Sequence, residues 1–198
     1  MARTVRVWFE GARFHVTSRG NRRSALFFDE EDYERYLAIA GETMERYPFR
    51  LLAYCLMTNH VHLQIETLQT PLSTIMKYLN TKYAKYFNRK YDFSGHVFEK
   101  RYNDELLNSP EYEIDASKYI HLNPVAAGIV SAAEDYRWNS YRTYIHGEKN
   151  PLLSPQLILS YFPHPASHYY ELYTKSHYND KIFWENGKIF CMEWDDVL

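Results

Sequence analysis

The feature that most constrains this chain is a pair of strand-length segments separated by two residues. Arg50–Met57, RLLAYCLM, is a continuous apolar run, Thr58-Asn59 is a two-residue turn, and HVHLQIE returns as a second strand. That pattern predicts a hairpin, and the segments around it are equally regular. RFHVTS (13–18) alternates as a strand and is followed by the basic turn SRGNRR. Asp29 opens an acidic first turn, and Tyr33, Tyr36, Leu37, Ala40 and Met44 keep helical spacing up to Pro48, which predicts a helix over 30–47. Pro71 sits where a helix favours its first residue, and Leu72, Ile75, Met76, Leu79, Tyr83 and Tyr86 continue at helical spacing. A further strand is expected over 97–107. Ser109-Pro110 then starts a helix that Pro124 is expected to end at Asn123, and DYRWNSYRTYIHG reads as a last short helical segment. Beyond Gly147 the texture changes to the Pro-rich, apolar NPLLSPQLILSYFPHP. The chain therefore reads as a body over 1–147 and a C-terminal extension over 148–198.

Composition excludes several classes. Hydrophobic residues make up 45% and charged residues 24%, as in an ordinary folded protein rather than a disordered one. No apolar run approaches the roughly 20 residues of a membrane-spanning helix. The N-terminal MARTVRVWFEGARFHV lacks an apolar core of signal-peptide length, and Cys55 and Cys191 lie far apart in apolar or aromatic surroundings. The expectation is a soluble cytoplasmic protein with buried, reduced thiols.

Net charge is only −2, so the molecule as a whole is not a basic nucleic-acid binder. The distribution says more. Lys77, Lys82, Lys85, Arg89, Lys90, Lys100 and Arg101 face only Asp92 and Glu99 over the same stretch, a local +5, whereas residues 180–198 carry five acids against two lysines, a local −3. The chain also has 19 Tyr against 11 Phe and 4 Trp, and basic residues interleaved with aromatics suit stacking on unpaired bases. Tyrosines packing a half-polar surface would give the same count.

Two constellations could carry chemistry. In Asn59-His60-Val61-His62 the alternation of a strand puts both imidazoles on one face, a ready pair of ligands for a divalent metal. Taken alone, such a pair is more often simply hydrogen-bonded, and no Cys or third His follows at structural-zinc spacing. In Tyr119-Ile120-His121-Leu122-Asn123 the spacing of four places Tyr119 and Asn123 on one helix face and turns His121 away from it. Asn offers a neutral oxygen ligand, and Tyr a hydroxyl able to act as a covalent nucleophile. Here too, packing and capping are the commoner uses of such residues.

Five segments in order, HVTSRGNRR, YCLMTNHVHLQIE, LNTKYAKYFNRKYDFSGHVFEKRY, YIHLNPVAAGIV and YRWNSYRTYIHG, resemble the REP-associated tyrosine transposases, in the single-tyrosine branch of the HUH endonucleases. The resemblance spans about residues 12–147; residues 148–198 share none of it. It implies an α+β fold with a ferredoxin-like antiparallel sheet, helices on one face, and the C-terminal extension added. It implies Tyr119 as nucleophile and His60, His62 and Asn123 as ligands of a divalent cation, Mg²⁺ or Mn²⁺. The activity implied is cleavage and rejoining of single-stranded DNA at hairpin-forming repeats through a 5′-phosphotyrosine link, with the partner single-stranded or hairpin DNA and no membrane. Monomer and dimer both stay open. Arg19, Arg22 and Arg23 in the basic turn, with Lys77, Lys82, Lys85, Arg89 and Arg101, are the candidate DNA contacts. Thr58 and Ala126 depart from a frequent Pro and a frequent basic residue of the family.

Two other readings compete. One is a DNA-hairpin-binding protein that keeps the fold without catalysis. The other is a metal-dependent hydrolytic nuclease, for which Glu66, on the same strand face as His60 and His62, is the only nearby carboxylate.

Overall fold

A computed structural model describes residues 8–176 and 181–192. In chain order it contains β1 (Arg13–Arg19), α1 (Glu30–Arg46), β2 (Phe49–Met57), β3 (His60–Thr67), α2 (Leu72–Lys90), β4 (Asn103–Leu107) and α3 (Pro110–Ala126). Three short helices, α4 (Tyr141–His146), α5 (Gln156–Leu159) and α6 (Ala166–Lys175), precede the hairpin β5 (Lys181–Glu185) and β6 (Lys188–Met192). The first four strands form one antiparallel sheet in the order β2-β3-β1-β4, which is the ferredoxin-like β-α-β-β-α-β arrangement.

The chain divides into two compact units. The first comprises the described residues up to Arg50 together with Thr58–Leu107; the second comprises Leu51–Met57 and the described residues from Asn108 onward.

In the first unit, β1 is the central strand of its sheet, with Thr17 opposite His62 and Arg19 opposite His60 on one side, and His15 opposite Glu105 on the other. Its even-numbered side chains, Phe14, Val16 and Ser18, are buried, and Asn80 of α2 donates to Ser18. The helix α1 starts at Asp29, whose carboxylate accepts from the Asp32 amide in a reciprocal capping box. Asp32 itself is buried and ties the two helices together. Its carboxylate accepts from the Phe28 amide, from Tyr86 and Tyr91, and from Lys90. Burial opposes the charge, yet these donors hold the carboxyl below its usual range.

The SRGNRR turn after β1 is tightly built. A Cβ at Gly20 would lie 2.1 Å from the Ser24 carbonyl oxygen, so only glycine fits there. The Gly20 amide donates to Asn59 O, and Arg22 and Arg23 both adopt left-handed backbone angles. The expected strand over 97–107 is shorter than its alternation suggests. Only 103–107 pairs along β1, because β1 ends at Arg19 and the turn beyond it meets residues 97–99 through the Asn21 N–H to Val97 O and Glu99 N–H to Arg19 O bonds.

In the second unit, the outer edge of the β2 segment is covered. The Leu56 amide donates to Trp138 O, the Tyr54 amide to Ser140 Oγ, and the Tyr136 and Tyr144 hydroxyls to Leu56 O and Leu52 O. These bonds satisfy polar groups that would otherwise form an open sheet edge. Ser109 caps α3 and Pro110 occupies its first turn, as expected. The helix does not stop at Asn123. It runs through Pro124 to Ala126 and ends where Gly128, at φ 67°, donates to Val125 O while Ile129 donates to Pro124 O. That is a Schellman motif, so the stop signal is the glycine; the proline removes one donor near the helix end without breaking the last turn.

Residues after Gly147 pack on the inner face of α3. Tyr161 donates to Glu113, Tyr173 to Asp115, and Lys118 Nζ to the Tyr173 and Ser176 carbonyls. Much of the tyrosine excess is used here, with Tyr144 and Tyr170 fully buried. Cys55 is a buried free thiol, and burial pushes its pKa up; the side chain of Cys191 lies outside the described residues. Among the described residues no helix is long and apolar enough to cross a membrane.

Candidate active site

The pleat of β3 places His60, His62, Gln64 and Glu66 on one face, and the neighbouring β1 adds Arg13, His15, Thr17 and Arg19 to it. The imidazoles of His60 and His62 meet edge to face with ring centres 4.9 Å apart. The Nδ1 of His60 lies 2.7 Å from Asn59 Oδ1. The Nδ1 of His62 lies 2.9 Å from His15 Nε2 and 3.3 Å from Thr17 Oγ1. Burial, reinforced by the neighbouring His15, His60 and Arg19, drives the His62 pKa down to about 2, and burial also lowers that of His15. His62 and His15 are therefore neutral, the form in which imidazole donates a lone pair to a metal.

His15 is not singled out by the sequence. The alternation of RFHVTSR puts His15, Thr17 and Arg19 on one face of their strand, but only the pairing of β1 with β3 brings His15 to His62. Glu66, the carboxylate on which a hydrolytic mechanism would rely, is held by Arg50 at 3.0 Å and flanked by Arg13 at 3.8 Å. It is an ion-pair partner rather than an available base. Among the described residues no group of three or more His, Cys, Asp or Glu side chains is arranged to hold a metal.

The second constellation lies on the outer face of α3. Tyr119 is 56% exposed, whereas Tyr36, Tyr83, Tyr144 and Tyr170 are wholly buried. One turn on, Asn123 Nδ2 donates to the Tyr119 carbonyl at 3.0 Å. With its nitrogen bonded to the main chain, the amide leaves Oδ1 as the atom that could serve as a ligand. His121 faces inward, where Nδ1 lies 2.7 Å from the Tyr170 hydroxyl and Nε2 lies 2.7 Å from Ser140 Oγ. Burial lowers its pKa to about 3.

The structure thus groups His60 with His62 in the first unit, and Tyr119 with Asn123 in the second. The candidate DNA contacts all belong to the first unit. Arg19, Arg22, Arg23, Lys77, Lys85, Arg89 and Arg101 are exposed. Lys82 is half-buried, paired with Glu42 and set over the Tyr78 ring, so it has less to offer a phosphate.

Residues 9–123 match the family model described as "Transposase IS200 like", a span that includes His60, His62, Tyr119 and Asn123. A curated Haemophilus influenzae protein whose name places it among the REP-associated tyrosine transposases is 26% identical over 122 residues, covering 56% of this chain and 69% of that protein. A solved REP-associated tyrosine transposase bound to a REP hairpin superposes with a TM-score of 0.65 at 16% identity, covering 78% of this chain and 92% of the other. Its agreement is one of fold. With the family match spanning more than half its length and both constellations inside it, the chain belongs to the IS200-like transposase family.

Proposed function

We propose that this protein is a strand transferase that cuts and rejoins single-stranded DNA, with Tyr119 as nucleophile. The phenolic oxygen forms the bond to phosphorus, the P–O3′ bond breaks, and the 3′ oxygen takes up a proton. The products are a 5′-phosphotyrosine and a free 3′-hydroxyl. The phosphodiester energy stays in the covalent link, so rejoining consumes no nucleotide.

The observation that carries this reading is the outer face of α3. It displays an exposed tyrosine one turn from an amide whose nitrogen is already bonded, and the same family match includes a sheet-borne histidine pair. Two imidazoles and an amide oxygen fit a divalent cation with open positions, Mg²⁺ or Mn²⁺, held by His60, His62 and Asn123. A cation bound there supplies positive charge that polarises the non-bridging phosphate oxygens. The chain's own residues do the rest. His60, His62 and Asn123 orient the scissile phosphate, Tyr119 attacks it, and Arg19, Arg22, Arg23, Lys77, Lys85, Arg89 and Arg101 neutralise the backbone, with Lys82 as a weaker contributor. The hairpin on the similar solved chain supports hairpin-forming DNA as the substrate class.

The test is incubation of the full chain with labelled hairpin DNA and Mn²⁺, followed by denaturing electrophoresis. Wild type and Tyr112→Phe, whose tyrosine is equally exposed on α3, should form a covalent adduct, and Tyr119→Phe should form none. Cleavage without an adduct in wild type would favour hydrolysis, and binding without cleavage would favour the non-catalytic hairpin binder.

A further inference from the structure

The partners of the two imidazoles assign more than their positions. The Asn59 amide has its nitrogen 3.2 Å from the Arg23 carbonyl, which can only accept, so Nδ2 points there and Oδ1 points at His60. An amide oxygen carries no hydrogen. His60 Nδ1, 2.7 Å from that oxygen, therefore carries a ring proton, and Nε2 is the nitrogen left to offer a lone pair. At His62 the same nitrogen, Nδ1, is taken up by His15 Nε2 and Thr17 Oγ1. A lone pair on Nε2 of His62 requires that Nδ1 donate and His15 Nε2 accept.

We infer that Asn59 and His15 are positioning residues that hold His60 and His62 in the Nδ1–H tautomer, making Nε2 the ligating atom of both; the ligand role rests on the function proposed above. Such outer partners orient ligating histidines and raise their basicity.

The main chain around Asn59 is built for this. Asn59 O accepts from Gly20 N–H, Thr58 O accepts from Leu26 N–H, and Arg23, in the left-handed region with Arg22, turns its carbonyl toward the Asn59 amide. The basic turn therefore has a second use besides charge: its backbone sets the orientation of the amide that sets the orientation of His60. The inner tyrosines and the Asp32 cluster are internally bonded and suggest no ligand of their own.

The test reads tautomers directly. Ring ¹⁵N chemical shifts of the full-length protein should place the proton of both histidines on Nδ1 in wild type. Asn59→Ala should release this preference at His60 alone, and His15→Phe at His62 alone. By calorimetry each variant should bind Mn²⁺ roughly 10–100-fold more weakly than wild type. Asn59→Asp and His15→Gln, which restore an oxygen acceptor, should recover most of that loss. A merely structural role would lower the melting temperature without this pattern of rescue.

A wild-type His60 protonated on Nε2 would overturn the inference. So would folded Asn59→Ala and His15→Phe proteins with unchanged shifts and unchanged Mn²⁺ affinity. Absence of Mn²⁺ binding by wild type is a different failure. It overturns the metal reading, while the nitrogen shifts still decide the tautomers.

Discussion

The two candidate constellations are built on opposite terms. On the sheet face, His62 is 5% exposed, its Nδ1 is held by two side chains from the adjacent strand, and His60 is held by its own neighbour in the turn. On the outer face of α3, Tyr119 is 56% exposed, and Asn123 is anchored to the helix main chain. A ligand gains from being fixed before the metal arrives, whereas a nucleophile must be open to a large, charged substrate. The same helix repeats the contrast across its width. Its inner face carries the relay from His121 Nδ1 through the Tyr170 hydroxyl to Ser117 Oγ and on to Ile114 O, every member of it buried. The lesson is that the inner face of α3 is bonded into the core while its outer face carries the exposed tyrosine.

The largest effect that would break this comparison concerns the metal. His62→Ala should reduce Mn²⁺ binding by at least about 100-fold, since a ligand and its outer partner are lost together, whereas Asn123→Ala should cost about tenfold or less because water can replace a neutral oxygen. Calorimetry returning equal losses would show that the exposed side holds the metal as firmly as the buried one.

Acid stability comes next. His121 and His62 are neutral in the folded chain down to about pH 3 and about pH 2, while in the unfolded chain they protonate near 6.5. The unfolded state therefore binds more protons below pH 6.5. Stability is complete above that value and falls with acid, by about 1.4 kcal/mol per pH unit for each residue. Urea midpoints between pH 6 and 4 should show this slope, and His121→Gln should reduce it by one proton's worth.

The two faces of α3 can then be set against each other in the same assay. Tyr170→Phe takes the partner from the buried His121 Nδ1 and one of two partners from Ser117 Oγ, and should cost about 1–3 kcal/mol. Tyr119→Phe should stay within about 0.5 kcal/mol of wild type, as an exposed substitution does. Equal costs would mean that the outer face also supports the fold.

The smallest effect is on DNA affinity. Arg22→Gln with Arg23→Gln should flatten the log–log salt dependence of single-strand binding by about 1 to 1.5, at roughly 0.7 per phosphate contact. An unchanged slope would remove these side chains from the DNA path and leave the turn its backbone role alone.

Much of the molecule is legible from local chemistry. The Thr58-Asn59 hairpin, the Asp29 cap, the helix after Pro71 and the Ser109-Pro110 start all appear where spacing and capping place them. The shared face of His60 and His62 follows from a period of two, and that of Tyr119 and Asn123 from a spacing of four. Alternation over 97–107 overstates the strand, because it marks a capacity to pair and residues 97–102 lack a length of partner strand. Pro124 alone misplaces the end of α3, because the left-handed backbone of Gly128 closes the helix two residues beyond Ala126.

The sequence by itself determined which side chains share a strand or helix face, since that needs only the periodicity of one segment. Tertiary structure alone decided that His15 stands behind His62, that the Arg23 carbonyl turns the Asn59 amide toward His60, that Glu66 is taken up by Arg50, and that residues after Gly147 brace the inner face of α3. Those outcomes depend on strand order and on contacts between residues from 16 to 58 positions apart. No local rule of spacing reaches across such distances, because they are set by which surfaces bury one another when the chain closes.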